Sequence, residues 1–214
     1  MTKVLLFDND GVLAHTEELF YIINQECFVE MGIPYTREDF ENHTFITNLG
    51  TTGFMKNYGC TDEQIIEFKG RRDPLWQSAI LTTNTVDPEA ETIFQLLKKD
   101  YKIGVVTNTN RENFLKTHHS SNIPNLADFI ITREDYDKGK PEPDGYLKGL
   151  QIAGCSPDEA LVIEDSPRGI VAAKAAGIQT IAIVNPVIKN LDTSNADFQI
   201  SSILDLPTLL QSYS

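Results

Sequence analysis

Short apolar runs bounded by polar turns recur along the chain: VLLF at 4–7, IGVVT at 103–107, FIIT at 129–132, ALVIE at 160–164 and TIAIV at 180–184. Runs this short and this continuously apolar read as strands buried on both faces, as in a parallel sheet. Between the later runs, apolar positions recur at helical spacing. PEAETIFQLLKKDY (88–101) opens with proline and acids and closes with lysines, matching the charges of helix ends. RENFLKTHHS, DGYLKGLQIAG and PRGIVAAKAAG follow, the last two closing at Gly154 and Gly177, which stop helices well. Strand–helix alternation from residue 88 onward predicts an α/β fold: a Rossmann-like parallel sheet with helices on both faces.

Residues 15–85 interrupt this rhythm. EELFYIINQECFVEMG places Leu19, Phe20, Ile22, Ile23, Cys27, Phe28 and Met31 at helical spacing. TDEQIIEFKGRRDPLWQSAI predicts a second helical stretch, broken near Gly70 or Pro74. The expected organisation is a core built from 1–14 and 86–214, with a helical cap inserted at 15–85.

Charge narrows the partners. Eighteen basic against 31 acidic residues give a net charge of −13. That field repels nucleic acid and anionic membrane surfaces, so neither is an expected partner. An anionic substrate would need local attraction from a cation and a few donors. With 214 residues and 41% apolar content, one domain plus an insertion can bury a normal core. Cys27, Cys60 and Cys155 are widely spaced and form no C-x-x-C, so they read as buried or idle thiols. The first apolar run is short and acid follows it, and no apolar stretch approaches the length of a bilayer, so a cytoplasmic protein is expected.

In open α/β sheets, ligands bind beyond the carboxyl ends of the strands. Asp8 and Asp10 follow the first strand, and Thr107 and Asn108 the second. Lys138 and Lys140 lie in the loop after the third; Glu164, Asp165 and Ser166 follow the fourth. Two aspartates one residue apart repel and raise each other's proton affinity, a cost that a metal ion or chemistry on an anion would justify. Carboxylates for Mg2+, a carboxylate able to attack phosphorus, a lysine and hydrogen-bond donors together fit phosphoryl transfer. Taken singly, these residues have plainer readings. Thr107 could cap the helix near Arg111, and Glu164 with Asp165 could cap the helix opening at Pro167. Lys138 reads as solvated, and His118 and His119 as surface residues away from the strand ends.

D-x-D-G-V-L, then VVTNTN, then K-G-K-P-E-P-D, then IEDSPRGIVAAKAAG, resembles the haloacid dehalogenase-like hydrolase superfamily. The likeness is to the subgroup with a helical cap after the first motif, which contains phosphoglycolate phosphatases, sugar phosphatases and β-phosphoglucomutases. The resemblance implies that Asp8 is the nucleophile and a metal ligand. It implies that Asp10 is the acid–base residue, its carbonyl also binding Mg2+. Thr107 and the backbone at Asn108 would hold the phosphoryl group, and Lys140 would neutralise it and orient Asp8. Asp165 would complete the Mg2+ site, with Glu164 as a ligand or a partner behind one. An aspartate at position 10 disfavours dehalogenase and phosphonatase chemistry, and Lys56 and Lys69 in the cap read as solvated.

Phosphomutases of the subgroup carry a histidine four residues after the threonine that matches Thr16. Here that position is Phe20, and FITNLGTTGF lacks their arginine. The expected function is therefore Mg2+-dependent hydrolysis of a small phosphate monoester, a sugar phosphate or phosphorylated acid. The alternatives are a phosphomutase and a non-catalytic metabolite-binding regulator. An Asp-phosphorylated receiver is disfavoured by the D-x-D pattern and by the insert between Asp8 and Thr107. Substrate contacts in the cap are expected from Thr16, Glu17, Asn48 and Arg72, the last beside Arg71 and near Trp76.

Overall fold

The computed structural model describes residues 2–47, 49–184 and 191–212. The chain forms two compact units, one from residues 1–15 and 85–214, the other from 16–84.

Among the described residues, the first unit holds six parallel strands: β1 (Val4–Phe7), β2 (Lys102–Val106), β3 (Phe129–Ile131), β4 (Ala160–Glu164), β5 (Gln179–Ile183) and β6 (Phe198–Ile200). They lie in the order β3-β2-β1-β4-β5-β6. The order reverses between β1 and β4, where a doubly wound sheet leaves a crevice at its carboxyl ends. Phe7 pairs with both Val105 and Ile163, so the three central strands end at one level.

Alternation along each strand divides the core into two layers. Leu5, Phe7, Ile103, Val105, Leu161 and Ile163 pack on one face, against α5 (Ala90–Leu97), α6 (Arg111–Thr117), the short α7 (Ile123–Leu126) and α10 (Leu206–Gln211). Val4, Leu6, Val106 and Val162 pack on the other, against α8 (Asp144–Ala153) and α9 (Pro167–Ala175). Gly154 ends α8 at φ +70°, a left-handed conformation that glycine adopts without steric cost. Both faces are covered by helices, as the sequence predicts. The three-residue β6 was not foreseen, being too short to show a period. The chain leaves the first unit beside the point where it returns: Ala14 bridges Val86 in antiparallel fashion, and His15 N–H donates to the Thr85 carbonyl at 2.7 Å.

The second unit is helical: α1 (Glu17–Glu30), α2 (Arg37–Glu41) running into a π-helical turn (Asn42–Ile46), α3 (Gly50–Tyr58) and α4 (Asp62–Thr82). Thr36 with Asp39 and Thr61 with Gln64 form reciprocal caps that start α2 and α4. Its interior is aromatic, Phe28 stacking on Phe68 at 4.4 Å and meeting Tyr35 at 4.5 Å and Phe54 at 5.2 Å. The expected break near Gly70 or Pro74 is corrected: α4 runs unbroken through both. A proline ring crowds the carbonyl four residues earlier, and here that residue is Gly70, whose backbone is the freest to adjust.

Candidate active site

Asp8 sits immediately beyond β1, its N–H still in the ladder to the Ile163 carbonyl at 2.9 Å. Lys140 meets it from the loop before α8. The Lys140 Nζ lies 2.8 Å from Asp8 Oδ1, donates to Glu164 Oε1 at 2.6 Å and donates to the Val106 carbonyl at 2.9 Å. Three acceptors thus match the three protons of an ammonium group. The charge also lies 4.9 Å from the centroid of the Tyr146 ring. Asp8, Lys140 and Glu164 are all buried.

Glu164 closes β4 and is enclosed by donors. Oε1 also accepts from Tyr146 OH at 2.8 Å; Oε2 accepts from Asp165 N, Ser166 N and Ser166 Oγ at 3.1, 3.2 and 3.0 Å. Burial works to raise the Glu164 pKa, but Lys140 and these hydrogen bonds outweigh it and hold it below its usual value. Asp8 shares the same lysine with fewer donors of its own. Burial pushes its carboxyl up to about 7, the Glu164 carboxylate adds to the rise, and Lys140 opposes it. Burial alone would lower the Lys140 pKa, and the two carboxylates raise it instead.

Asp8, Glu164 and Asp165, all buried, each offer an oxygen within 4.8 Å of the others. An all-carboxylate set suits a hard divalent cation such as Mg2+ rather than a metal that prefers nitrogen or sulfur. Both Glu164 oxygens already serve protein donors, which makes Asp8 and Asp165 the better-disposed ligands.

The loop after β2 supplies the other side. Thr107 is buried, and its Oγ1 accepts from Thr109 N at 3.0 Å, which leaves the hydroxyl's own proton to donate. The Asn108 side chain binds the Lys140 backbone, accepting its N–H at 3.0 Å, and Tyr136 OH reaches Asn108 Oδ1 at 2.8 Å and the Thr107 carbonyl at 2.7 Å. Asp10 Oδ2 accepts from Thr109 Oγ1 at 2.6 Å.

A model of the haloacid dehalogenase-like hydrolases matches residues 5–183 of this chain. The chain belongs to this family. Within it, the chain is 31% identical over 192 residues to validoxylamine A 7'-phosphate phosphatase of Streptomyces hygroscopicus subsp. limoneus, covering 86% of each chain. It is 27% identical over 217 residues to protein CbbY of Rhodobacter capsulatus, covering 94% of this chain and 93% of that one. In three dimensions it resembles a putative phosphoglycolate phosphatase of Lactobacillus plantarum, with a TM-score of 0.84, 22% identity and 98% and 100% coverage. No helix among the described residues is long and apolar enough to cross a membrane.

Several sequence expectations need correction. The helix at Arg111 is capped by Asn110, whose side chain accepts from Asn113 N, and not by Thr107. The helix at Pro167 is capped by Ser166, not by Glu164 or Asp165. His118 is no surface residue: it is 2% exposed, against Phe114, with Nε2 at 2.7 Å from Asn9 Oδ1 and Nδ1 at 2.8 Å from Ser121 Oγ. Its spacing four residues after buried Phe114 puts it on the inner face of α6, and Ser121 and Asn9 bind its two ring nitrogens there. His119 is exposed, as expected.

In the helical unit, Arg71 pairs with Glu30 on the surface. The Arg72 side chain is 13% exposed, bound to Asp73 Oδ1 and Thr51 Oγ1, and lies 5.3 Å from the Phe20 ring and 5.7 Å from that of Phe68. Trp76 packs edge-on to Phe20 at 5.0 Å. Thr16 is buried and Glu17 partly so. Asn48 lies outside the described residues.

His118 carries a pH prediction. Burial holds its pKa down to about 4, the Asp10 carboxylate pulling the other way. The unfolded chain takes up a proton near pH 6.5 that the folded protein refuses until about pH 4. The stability contributed by the neutral ring is full above that range and is lost as pH falls through it, by roughly 3 kcal/mol in all. In urea unfolding at pH 7 and pH 4.5, the native protein should lose roughly 2 kcal/mol more than His118→Gln. Equal losses would show that the ring is not held neutral.

Proposed function

We propose that the protein is a Mg2+-dependent phosphatase that cleaves a small phosphate monoester through a phospho-aspartate on Asp8. The observation that carries this reading is the single Lys140 ammonium shared by Asp8 and Glu164 at the ends of β1 and β4. It holds a buried carboxylate in one orientation beside a position where anionic oxygens would be welcome.

In this reading the Asp8 carboxylate attacks phosphorus and the bond to the ester oxygen breaks. The departing oxygen takes the proton of Asp10 and leaves as an alcohol. Asp10 then accepts a proton from water as that water attacks the phospho-aspartate, releasing inorganic phosphate and restoring Asp8. Thr107 Oγ1 and the Asn108 N–H donate to phosphoryl oxygens, and Lys140 offsets their charge. Asp8, Asp165 and the Asp10 carbonyl would hold Mg2+, which would supply further positive charge against those oxygens. Glu164 keeps Lys140 in place. Substrate choice is assigned to the helical unit, where Thr16, Glu17, Asn48 and Arg72 are the candidates. The relative named for validoxylamine A 7'-phosphate supports a small phosphorylated substrate.

The test is phosphate release from a panel of sugar phosphates and phosphorylated small acids, with p-nitrophenyl phosphate as a generic ester. Release with Mg2+ should fall at least about a hundredfold after chelation and return when Mg2+ is restored. A folded protein that releases phosphate from no ester with Mg2+ present would overturn the reading.

A further inference from the structure

Thr109 stands two residues beyond Thr107, in the loop from β2 to α6, and hydrolysis as drawn above gives it no task. Its backbone is held on both sides: its N–H donates to Thr107 Oγ1 at 3.0 Å, and its carbonyl accepts from Arg133 N at 3.1 Å. Its side chain is β-branched and stiff at χ1. From this fixed base the hydroxyl donates to Asp10 Oδ2 at 2.6 Å, within the range of a hydroxyl bound to a carboxylate. A donor anchored in this way need not reorganise when charge on its acceptor changes.

We propose that Thr109 is a positioning residue that aims the Asp10 carboxyl for proton transfer, acting through Asp10 and not on the phosphoryl group. The inference rests on the phosphatase reading. When the ester bond breaks, its electron pair stays with the departing oxygen, and the Asp10 proton moves onto that oxygen. Thr109 keeps its own proton and holds Oδ2 throughout. A general acid works only within hydrogen-bond reach and in the right direction. A carboxyl that swings about its last torsion loses that direction; one tied at an oxygen keeps it.

The demand for an acid rises with the basicity of the leaving oxygen. A p-nitrophenolate departs almost unaided, whereas a more basic phenolate needs its proton. Loss of the Thr109 hydroxyl should therefore be felt in proportion to leaving-group basicity, a pattern that general loosening of the fold would not produce.

The experiment measures kcat/KM, which reports ester cleavage and not the later hydrolysis, for phenyl phosphates ranging from p-nitro to p-methoxy. Native protein, Thr109→Val and Thr109→Ser are compared with Mg2+ saturating and urea midpoints matched. Thr109→Val should cut the p-methoxy ester by about thirtyfold or more and the p-nitro ester by less than about threefold. Thr109→Ser, which keeps the donor, should bring the p-methoxy ester back to within about threefold of the native value. An equal fall across the series, or no fall, overturns the proposal and leaves the phosphatase reading intact. If the folded native protein releases phosphate neither from these esters nor from the sugar phosphates and phosphorylated acids of the panel, both fall together.

Discussion

Asp8→Asn is expected to lower phosphate release by at least about ten-thousandfold while removing a loss of stability that the metal-free fold suffers as pH rises from about 4 to about 7. The two effects share one origin. Burial and the neighbouring Glu164 raise the Asp8 carboxyl to about 7, against the pull of Lys140. In the unfolded chain the same carboxyl titrates near 3.8. The folded state therefore binds this proton more tightly, and its stability declines as pH rises from about 4 to about 7, by roughly 4 kcal/mol. Asparagine carries no charge to bury, and Lys140 keeps Glu164 as its partner. With a chelator present, the difference in unfolding free energy, variant minus native, should grow by up to roughly 4 kcal/mol between pH 4 and pH 8. This slope opposes that of His118, so the native curve mixes both and only the two variants separate them. A gap independent of pH would mean that Asp8 is not held at a cost.

Gly169→Ala is expected to cost about 3–5 kcal/mol of stability and most of the activity, by way of its effect on Glu164. A Cβ built on Gly169 would lie 1.7 Å from Glu164 Oε1 and 1.9 Å from its Cδ. No rotamer adjustment absorbs that overlap cheaply, because the carboxylate is held by Lys140, Tyr146, Ser166 and the Asp165 N–H. Either the first turn of α9 shifts or Glu164 withdraws and leaves Lys140 with Asp8 alone. Shortening the acid should relieve the clash: Glu164→Asp combined with Gly169→Ala should be at least about 1 kcal/mol more stable than the sum of the single losses implies. Additive losses in a double-mutant cycle of urea midpoints would show that the two positions do not compete for this space.

The sheet was readable because its strands are continuous apolar runs with helices covering both faces, and five of them stood out from residue 4 to 184. Their common end level followed from parallel pairing, and it brings Asp8, Lys140, Glu164 and Asp165 together from segments distant in sequence. What stayed hidden were groups whose chemistry does not alter the pattern. Tyr146 occupies an apolar helical position, and its ring would read the same as phenylalanine; only the fold shows its hydroxyl on Glu164. Ser166 before Pro167 did carry a local signal, since serine ahead of a proline at a first helical turn is a favoured cap. Thr109 carried none, because its partner Asp10 lies about a hundred residues away, and His118 carried only its spacing from Phe114, its partner Asn9 being as distant. The unbroken α4 shows tertiary packing of Ile65, Phe68 and Ile80 prevailing over local propensity.

The antiparallel bridge between Ala14 and Val86 has a bearing on how such a chain can change over time. It sets the exit and re-entry of the backbone side by side, so whatever is threaded between them meets the same two anchor points regardless of its length. Closing a longer loop between fixed ends adds little entropy, about 0.6 kcal/mol per doubling. The catalytic sheet thus carries a socket. Segments of different size and composition can be exchanged there without redesign of the strands that hold Asp8.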